Sequence, residues 1–378
     1  VSITVDESRL LATFNHFRSG DFLDTLTHAL SGALLGRLMA RPPASTKQGL
    51  QVWHMVVAGA AAATFPDSDF ILGYVSDLTY LRGHRGVTHS IVLLPLWGLL
   101  IACILSRLPK VRGPGVAWRD FYAVACAGLA IHIAGDLITQ FGTMIFAPFS
   151  DRRFGFGTTF IIDLPFTGIL IAGLLASAAW RRSRVPAAVG LLALCLWTGV
   201  GALGRSEAID AAREYATRQN LQVVTVDAAP RPASPFNWTA IVFDGERYHY
   251  AHINTRRTEM MEAGPDASFF RRFSAPYRPV AMAHWQVRER FGNGDERELA
   301  RAVWQAPEFD FYRWFAMFPV LDQAGRSADG RCASFRDLRF EIPARDATLF
   351  RYGLCGSGNP GWKLFEQTSA GRRWMSPE

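Results

Sequence analysis

Pro186-Ala-Ala-Val-Gly-Leu-Leu-Ala-Leu-Cys-Leu-Trp-Thr-Gly-Val-Gly-Ala-Leu-Gly204 runs for 19 residues without a charged side chain. A bilayer core takes ~20 residues of helix, so a run of this length and composition suits a membrane span. Phe160 to Trp180 is a second such run, 21 residues with one acid, Asp163. Towards the N-terminus, weaker apolar stretches cover roughly 24–40, 51–65, 90–106 and 120–138. These are shorter and carry His or Asp, and an ionisable group near a helix centre costs about 2.5–3.5 kcal/mol on the insertion scale. Burial in a soluble helical core is the competing explanation, and the two uninterrupted runs argue against it. The expected fold is a membrane all-α helical bundle of about six spans over residues 23–204, followed by a soluble, strand-rich α+β domain over 205–378. Residues 1–22 lack the apolar run of a cleaved signal peptide and read as a polar leader, either a dispensable extension or a misassigned start.

Charge orients this bundle. The chain carries 40 basic and 33 acidic residues, a net charge of +7, but the placement of the basic residues says more than their excess. Arg37, Arg41 and Lys47 follow the first stretch, Arg107, Lys110 and Arg112 the third, and Arg181, Arg182 and Arg184 the fifth. By the positive-inside rule these loops are cytoplasmic, which puts the N-terminus and everything after residue 204 on the other side, the periplasm in a bacterium. The expected location is therefore the bacterial inner membrane, multi-pass, with a periplasmic C-terminal domain.

Four clusters of acids and histidines fall at the end opposite the basic loops: Asp24-Thr-Leu-Thr-His28, Pro66-Asp67-Ser-Asp69, His84-Arg85-Gly86-Val-Thr88-His89 and His132-Ile-Ala-Gly-Asp136. Asp24 with His28, and His132 with Asp136, are four apart, so each pair projects from one helix face. Helix bundles build metal sites from such inward pairs. Asp67 and Asp69 alternate in a turn, and His84 and His89 lie in a loop with Gly83 and Gly86. Neutral imidazole and carboxylate without thiolate suit zinc, or manganese, and two or more ions are expected. Arg85 offers a planar fork for an oxyanion, with Arg82 as a second candidate. Thr139, Gly142 and Thr143 extend the fourth cluster as donors that orient ligands. Asp163 reads as a further ligand, a general base or a helix-start charge.

After Arg205 the composition turns charged and aromatic. Arg205 to Arg218 reads as an amphipathic helix, and strands are expected at Leu221–Val226, Trp238–Phe243 and Arg247–Ile253, the last two joined at Asp244-Gly245, then at Phe335–Ile342 and Ala347–Tyr352. Arg231 to Pro235 reads as a loop. His249, His252 and His284 lack acid partners at ligand spacing and read as polar surface. Cys332 and Cys355 either pair as a disulfide or remain two buried thiols.

The ordered motifs D-x-x-T-H, P-D-x-D, H-R-G-x-T-H-S and H-x-x-x-D-x-x-T-x-x-G-T, over residues 24 to about 180, resemble those of the bacterial inner-membrane metal-dependent hydrolases of the YdjM-like type. They are more distantly similar to the zinc-dependent phospholipase C group, an all-helical fold with a His/Asp zinc cluster. The resemblance implies metal ligation by His28, Asp67, His84, His89, His132 and Asp136, with Asp24 and Asp69 as additional candidates. The function expected is a metal-dependent hydrolase cleaving a phosphoester or lipid-linked ester at the periplasmic membrane face. Its partners would be membrane lipids and an amphiphilic or lipid-linked substrate, with no nucleic acid. The alternatives are a metal-ion transporter, which needs ligands through the mid-membrane, and a non-catalytic receptor with a structural metal, which needs a closed coordination shell.

Overall fold

A computed structural model describes residues 24–40, 51–108, 115–264, 266–343, 349–356 and 361–375. The polar leader and the basic residues Arg41, Lys47, Lys110 and Arg112 lie outside them. The first half is helical: α1 (residues 24–39), α2 (Val52–Thr64), α3 (Asp77–Gly83), α4 (Leu94–Arg107), α5 (Arg119–Leu137), α6 (Leu164–Ala179) and α7 (Val185–Arg218). The chain divides into two compact units. Among the described residues, one unit takes those up to Phe70, Gly83–Phe156 and Phe160–Gly199, and the other takes Ile71–Arg82, Gly157–Thr159 and those from Val200 on. The division thus falls inside α7, and Arg205 to Arg218 continues the last apolar helix without a break.

In the helical unit, small residues let backbones approach. A Cβ on Gly32 or Gly36 of α1 would lie 2.2 Å from the carbonyl oxygen of Gly59 or Met55 on α2. A Cβ on Gly128 of α5 would come within 2.8 Å of the Gly59 oxygen and the Ala62 Cβ. Helices in lipid gain most from this close packing, because the surrounding tails are as apolar as the side chains. α5 packs against both α2 and α4, with Ala58, Ala62, Ala102, Val124, Ala125 and Leu129 between them. Arg37 of α1 donates to the carbonyls of Arg181 (2.9 Å) and Ser183 (2.6 Å), so the basic ends of α1 and α6 lie together. Outward residues such as Leu96, Leu100, Ile104, Leu175, Val189 and Leu196 are exposed. An apolar exterior around a polar interior is what lipid demands and water penalises.

The count of spans differs from the expected six. Among the described residues, α5 and α7 are long and apolar enough to cross a membrane, and the total rises to four only if two bent pairs are each counted as one span. The first pair breaks at Pro66, after which the chain runs as a 3₁₀ segment, Pro66–Tyr74, carrying Asp67 and Asp69. The second breaks between the 3₁₀ turn Val87–His89 and α4. α6 has 16 residues, ~24 Å of helix against a hydrocarbon thickness of ~30 Å.

The second unit holds two sheets. The first contains β1 (Thr225–Pro230), β2 (Asn237–Phe243), β3 (Arg247–Asn254), β4 (Arg278–Pro279) and β5 (Gln286–Glu289), the last two both pairing with β3. After α8 (Phe269–Ser274), α9 (Gly294–Gln305) and α10 (Asp310–Phe315), the second is an antiparallel meander of β6 (Pro319–Ser327), β7 (Gly330–Asp337), β8 (Tyr352–Gly356), β9 (Lys363–Thr368) and β10 (Gly371–Trp374). The Asp244-Gly245 hairpin forms with Gly245 at φ 101°, a backbone that glycine adopts without strain. β1 starts at Thr225 rather than Leu221, β7 ends at Asp337 in a 3₁₀ turn, and β8 starts at Tyr352, with Ala347 outside the described residues.

Both faces of the first sheet are covered. Ala208 and Ala212 of α7 pack on Trp238, Ala240, Ala251 and Ile253, while Ile241, Tyr248 and Tyr250 meet Phe318, Val320 and Leu338. For this reason His249 and His252 are buried, a correction to their reading as polar surface; His284 is exposed. His249 contacts Tyr215 (3.1 Å) and Asp244 (3.3 Å). Cys332 and Cys355, cross-strand partners on β7 and β8, form a disulfide.

Candidate metal centre

The four clusters converge inside the helical unit. His132 is fully buried on α5, and its Nδ1–H donates to the Ala63 carbonyl at 2.6 Å. A carbonyl only accepts, so the tautomer is set and the Nε2 lone pair faces inward. That lone pair lies 3.0 Å from His89 Nε2, 3.3 Å from Asp136 Oδ2 and 3.5 Å from Asp67 Oδ1. His89, also fully buried, places its Nε2 3.1 Å from the same Asp136 oxygen. Its Nδ1 faces Thr88 Oγ1 (3.0 Å) and Asp69 Oδ2 (3.7 Å). His28 of α1 stacks on His132 with ring centroids 3.8 Å apart and brings its Nε2 to 3.4 Å from Asp136 Oδ1. Gly135 makes room for that ring, since a Cβ there would lie 2.9 Å from His28 Cε1.

Among the described residues, two groups are arranged to hold a metal ion: His28, His132 and Asp136, and Asp67, His89 and His132. The remaining members of the clusters flank them. Asp69 accepts from the Arg85 backbone N–H (2.9 Å) and faces His84 Nδ1 at 3.1 Å. Thr25 donates to Asp67 Oδ2 at 2.8 Å. Asp24 lies 3.5 Å from His28 Nε2 and 3.4 Å from Arg85 Nη2.

Arg85 is 2% exposed and differs from the open fork expected of it. Nη2 lies 3.0 Å from Asp136 Oδ1, Nη1 donates to Thr139 Oγ1 at 3.0 Å, and the guanidinium sits 5.0 Å from the centre of the Phe141 ring. Its φ of 58° is left-handed, held by the Asp69 bond and by its own carbonyl accepting from Met144 N (2.8 Å). Gly86 serves a tight turn here rather than a flexible one, because a Cβ would meet the Gly83 oxygen at 2.6 Å.

Asp163 stands apart and takes the helix-start role. Its Oδ1 caps α6 by accepting from Phe166 N (2.9 Å), and both carboxylate oxygens face Trp197 Nε1. Two contributors escaped the sequence reading. The Ala63 carbonyl carries no sequence signal, being backbone, whereas Gly135, between His132 and Asp136, marks a close approach.

A divalent cation fits these residues. Buried His28 Nε2 and Asp136 Oδ2 have no hydrogen-bond partner, and such orphaned atoms cost free energy unless something satisfies them. Among the described residues, Asp24, Asp67, Asp69 and Asp136 set four carboxylates about the guanidinium of Arg85, three more acids than that cation balances with neutral imidazoles. The 3.0 Å between His89 Nε2 and His132 Nε2 approaches the ~3.3 Å edge of a tetrahedron with ~2.0–2.1 Å metal–nitrogen bonds.

The part of the chain that carries this centre matches a known family model, that of the YdjM inner membrane protein, over residues 23–208. Residues 23–208, just under half of the chain, are thus similar to the YdjM family. The YdjM-like segment covers every residue of the centre, and with the apolar helices it places the protein in a membrane. The chain is also 28% identical over 164 residues, 43% of its length, to the uncharacterized protein YfhP of Bacillus subtilis (strain 168). That match covers 48% of YfhP, so the chain spans about half the length of this curated relative. No solved structure matches the chain, and the distant likeness to zinc-dependent phospholipase C stays without structural support.

Proposed function

We propose that the YdjM-like segment is a metal-dependent hydrolase, cleaving a phosphoester or lipid-linked ester at the periplasmic face of the inner membrane. The observation that carries this reading is the meeting of His28, His89 and His132 Nε2 around the carboxylate of Asp136, the first at Oδ1 and the other two at Oδ2, a buried donor set of N and O atoms without thiolate. Zinc is the first candidate for such donors and manganese the second. When bound, the ion supplies Lewis acidity and a hydroxide nucleophile at neutral pH.

The chain's own residues do the rest. The Ala63 carbonyl and Thr88 orient His132 and His89, as partners of metal-bound imidazoles generally do. Exposed Val87, Ile91, Phe146 and Phe149 lie on the segments that carry or hydrogen-bond to the centre's loop. They suit an amphiphilic substrate and membrane lipids as partners. The basic loops support a multi-pass topology with the centre and the C-terminal domain outside the cytoplasm, and the Cys332–Cys355 disulfide is consistent with an oxidising compartment. Transport draws no support from a cluster gathered at one end of the helices.

The test is turnover of a phosphodiester and phospholipid panel by the full chain in detergent with added zinc or manganese. The wild type is expected to turn over one class, and His89→Ala and Asp136→Ala to lose it while keeping their circular dichroism. Activity retained in both variants, or absent from the metal-loaded wild type on the whole panel, defeats the assignment. Reporter fusions after residue 204 check the topology, and a cytoplasmic C-terminal domain would overturn it.

A further inference from the structure

We infer that Arg85 takes the place of a second metal ion, so that the centre binds one divalent ion per chain. This rests on the metal reading above and goes beyond it, because a two-ion centre is the arrangement that the density of ligands suggests. The two ion-holding groups share His132. Its Nδ1 is committed to the Ala63 carbonyl, and the single lone pair left on Nε2 binds one ion. The groups are therefore two parts of one coordination shell.

The second cation is already present. Asp136 divides its two oxygens: Oδ2 faces His89 and His132 Nε2 at 3.1 and 3.3 Å, while Oδ1 faces Arg85 Nη2 at 3.0 Å, nearer than His28 Nε2 at 3.4 Å. A carboxylate that offers one oxygen to each of two positive centres is how two ions are bridged, and here one of the two is a guanidinium. Asp24 Oδ2, 3.4 Å from the same nitrogen, is the other acid on that side. Arg85 has little freedom to leave, being fixed by Thr139, the Phe141 ring and backbone bonds at both ends. It also carries a permanent charge, since a guanidinium does not deprotonate in proteins. One divalent ion and Arg85 together leave the four carboxylates one negative charge in excess. Arg85 is thus a positioning residue that holds Asp136 and Asp24, rather than a donor to the substrate.

Metal counting by inductively coupled plasma mass spectrometry, on the full chain loaded with excess zinc and then dialysed, tests this without reference to activity. Wild type and Arg85→Lys, which keeps a cation, are expected to hold one ion per chain. Arg85→Ala frees Asp24 and one oxygen of Asp136, and is expected to take up a second, weaker equivalent in a zinc titration. Two ions in the wild type overturn the inference and leave the metal reading standing. A folded Arg85→Ala that binds one ion with unchanged affinity also overturns it. No ion in the loaded wild type removes the metal reading itself. If Arg85→Ala does not fold, the wild-type and Arg85→Lys counts still decide between one ion and two.

Discussion

Arg85 and Arg231 are each 2% exposed, one in the helical unit and one in the strand-rich unit, and their partners differ in kind. Arg231 donates Nε to Thr239 Oγ1 (2.5 Å), Nη1 to the Arg339 carbonyl (2.9 Å) and Nη2 to the Leu338 carbonyl (2.7 Å). Its charge is spread over neutral acceptors and ties the end of β1 to the turn after β7. Arg85 instead faces carboxylates, beside imidazole and carboxylate atoms that have no partner. A buried cation whose donors are met by neutral oxygens, here two carbonyls and a hydroxyl, is architecture. One set among surplus acids and orphaned lone pairs marks a place for another cation.

Removing the centre of each arrangement should separate the two roles most sharply. His132→Ala is expected to abolish zinc retention on dialysis while leaving the unfolding of the C-terminal domain unchanged. Arg231→Ala is expected to do the reverse, costing the C-terminal domain about 3–5 kcal/mol in denaturant unfolding, since three buried acceptors lose their donor. A His132→Ala protein that keeps its zinc, or an Arg231→Ala protein that loses it, breaks the comparison.

A middle-sized effect comes from His252, which accepts from Thr239 through Nδ1 (2.9 Å) in the Arg231 network. Burial and the nearby Arg231 push its pKa from 6.5 down to about 3. The folded domain holds it neutral while the unfolded chain protonates it, so its contribution is intact above pH 6.5 and is lost as pH falls towards 3. Between pH 6.5 and about pH 4.5 the loss amounts to roughly 2–3 kcal/mol. Stability measured against pH should flatten over that window in His252→Gln; an unchanged slope would assign the acid sensitivity to other groups.

The smallest effect is expected at Gly135. Its added Cβ would press on His28 at 2.9 and 3.2 Å, so Gly135→Ala should weaken zinc binding about 10- to 100-fold by displacing one ligand. Gly168→Ala on α6, with nothing within 4 Å, is the control and should leave affinity unchanged. Equal affinities in the two variants would show that His28 does not bind the ion.

Much of this was legible in local sequence. The i, i+4 pairs Asp24/His28 and His132/Asp136 lie on helices, as their spacing requires, and β2 and β3 form around Asp244-Gly245. The alternation of β3 puts His249 and His252 on opposite faces, but period two does not reveal that both faces are covered, so their burial is not legible in it. The apolar runs pointed to helices but not to their number of crossings: Pro66 bends one, and Asp163 with Pro165 starts α6 too late for full length.

The sequence by itself determined which residues share a helix face, where the chain must turn and which side chains are available to a metal, because backbone sterics and helical or strand period act over a few residues. Only the tertiary structure decided what each of those side chains faces. His132 takes its tautomer from a carbonyl 69 residues away and Arg85 its partners from residues 51 to 61 positions distant. Asp163, with the same carboxylate, is claimed instead by Phe166 N and Trp197. Ligand, counter-ion and cap are distinctions made by long-range packing, and no local rule carries them.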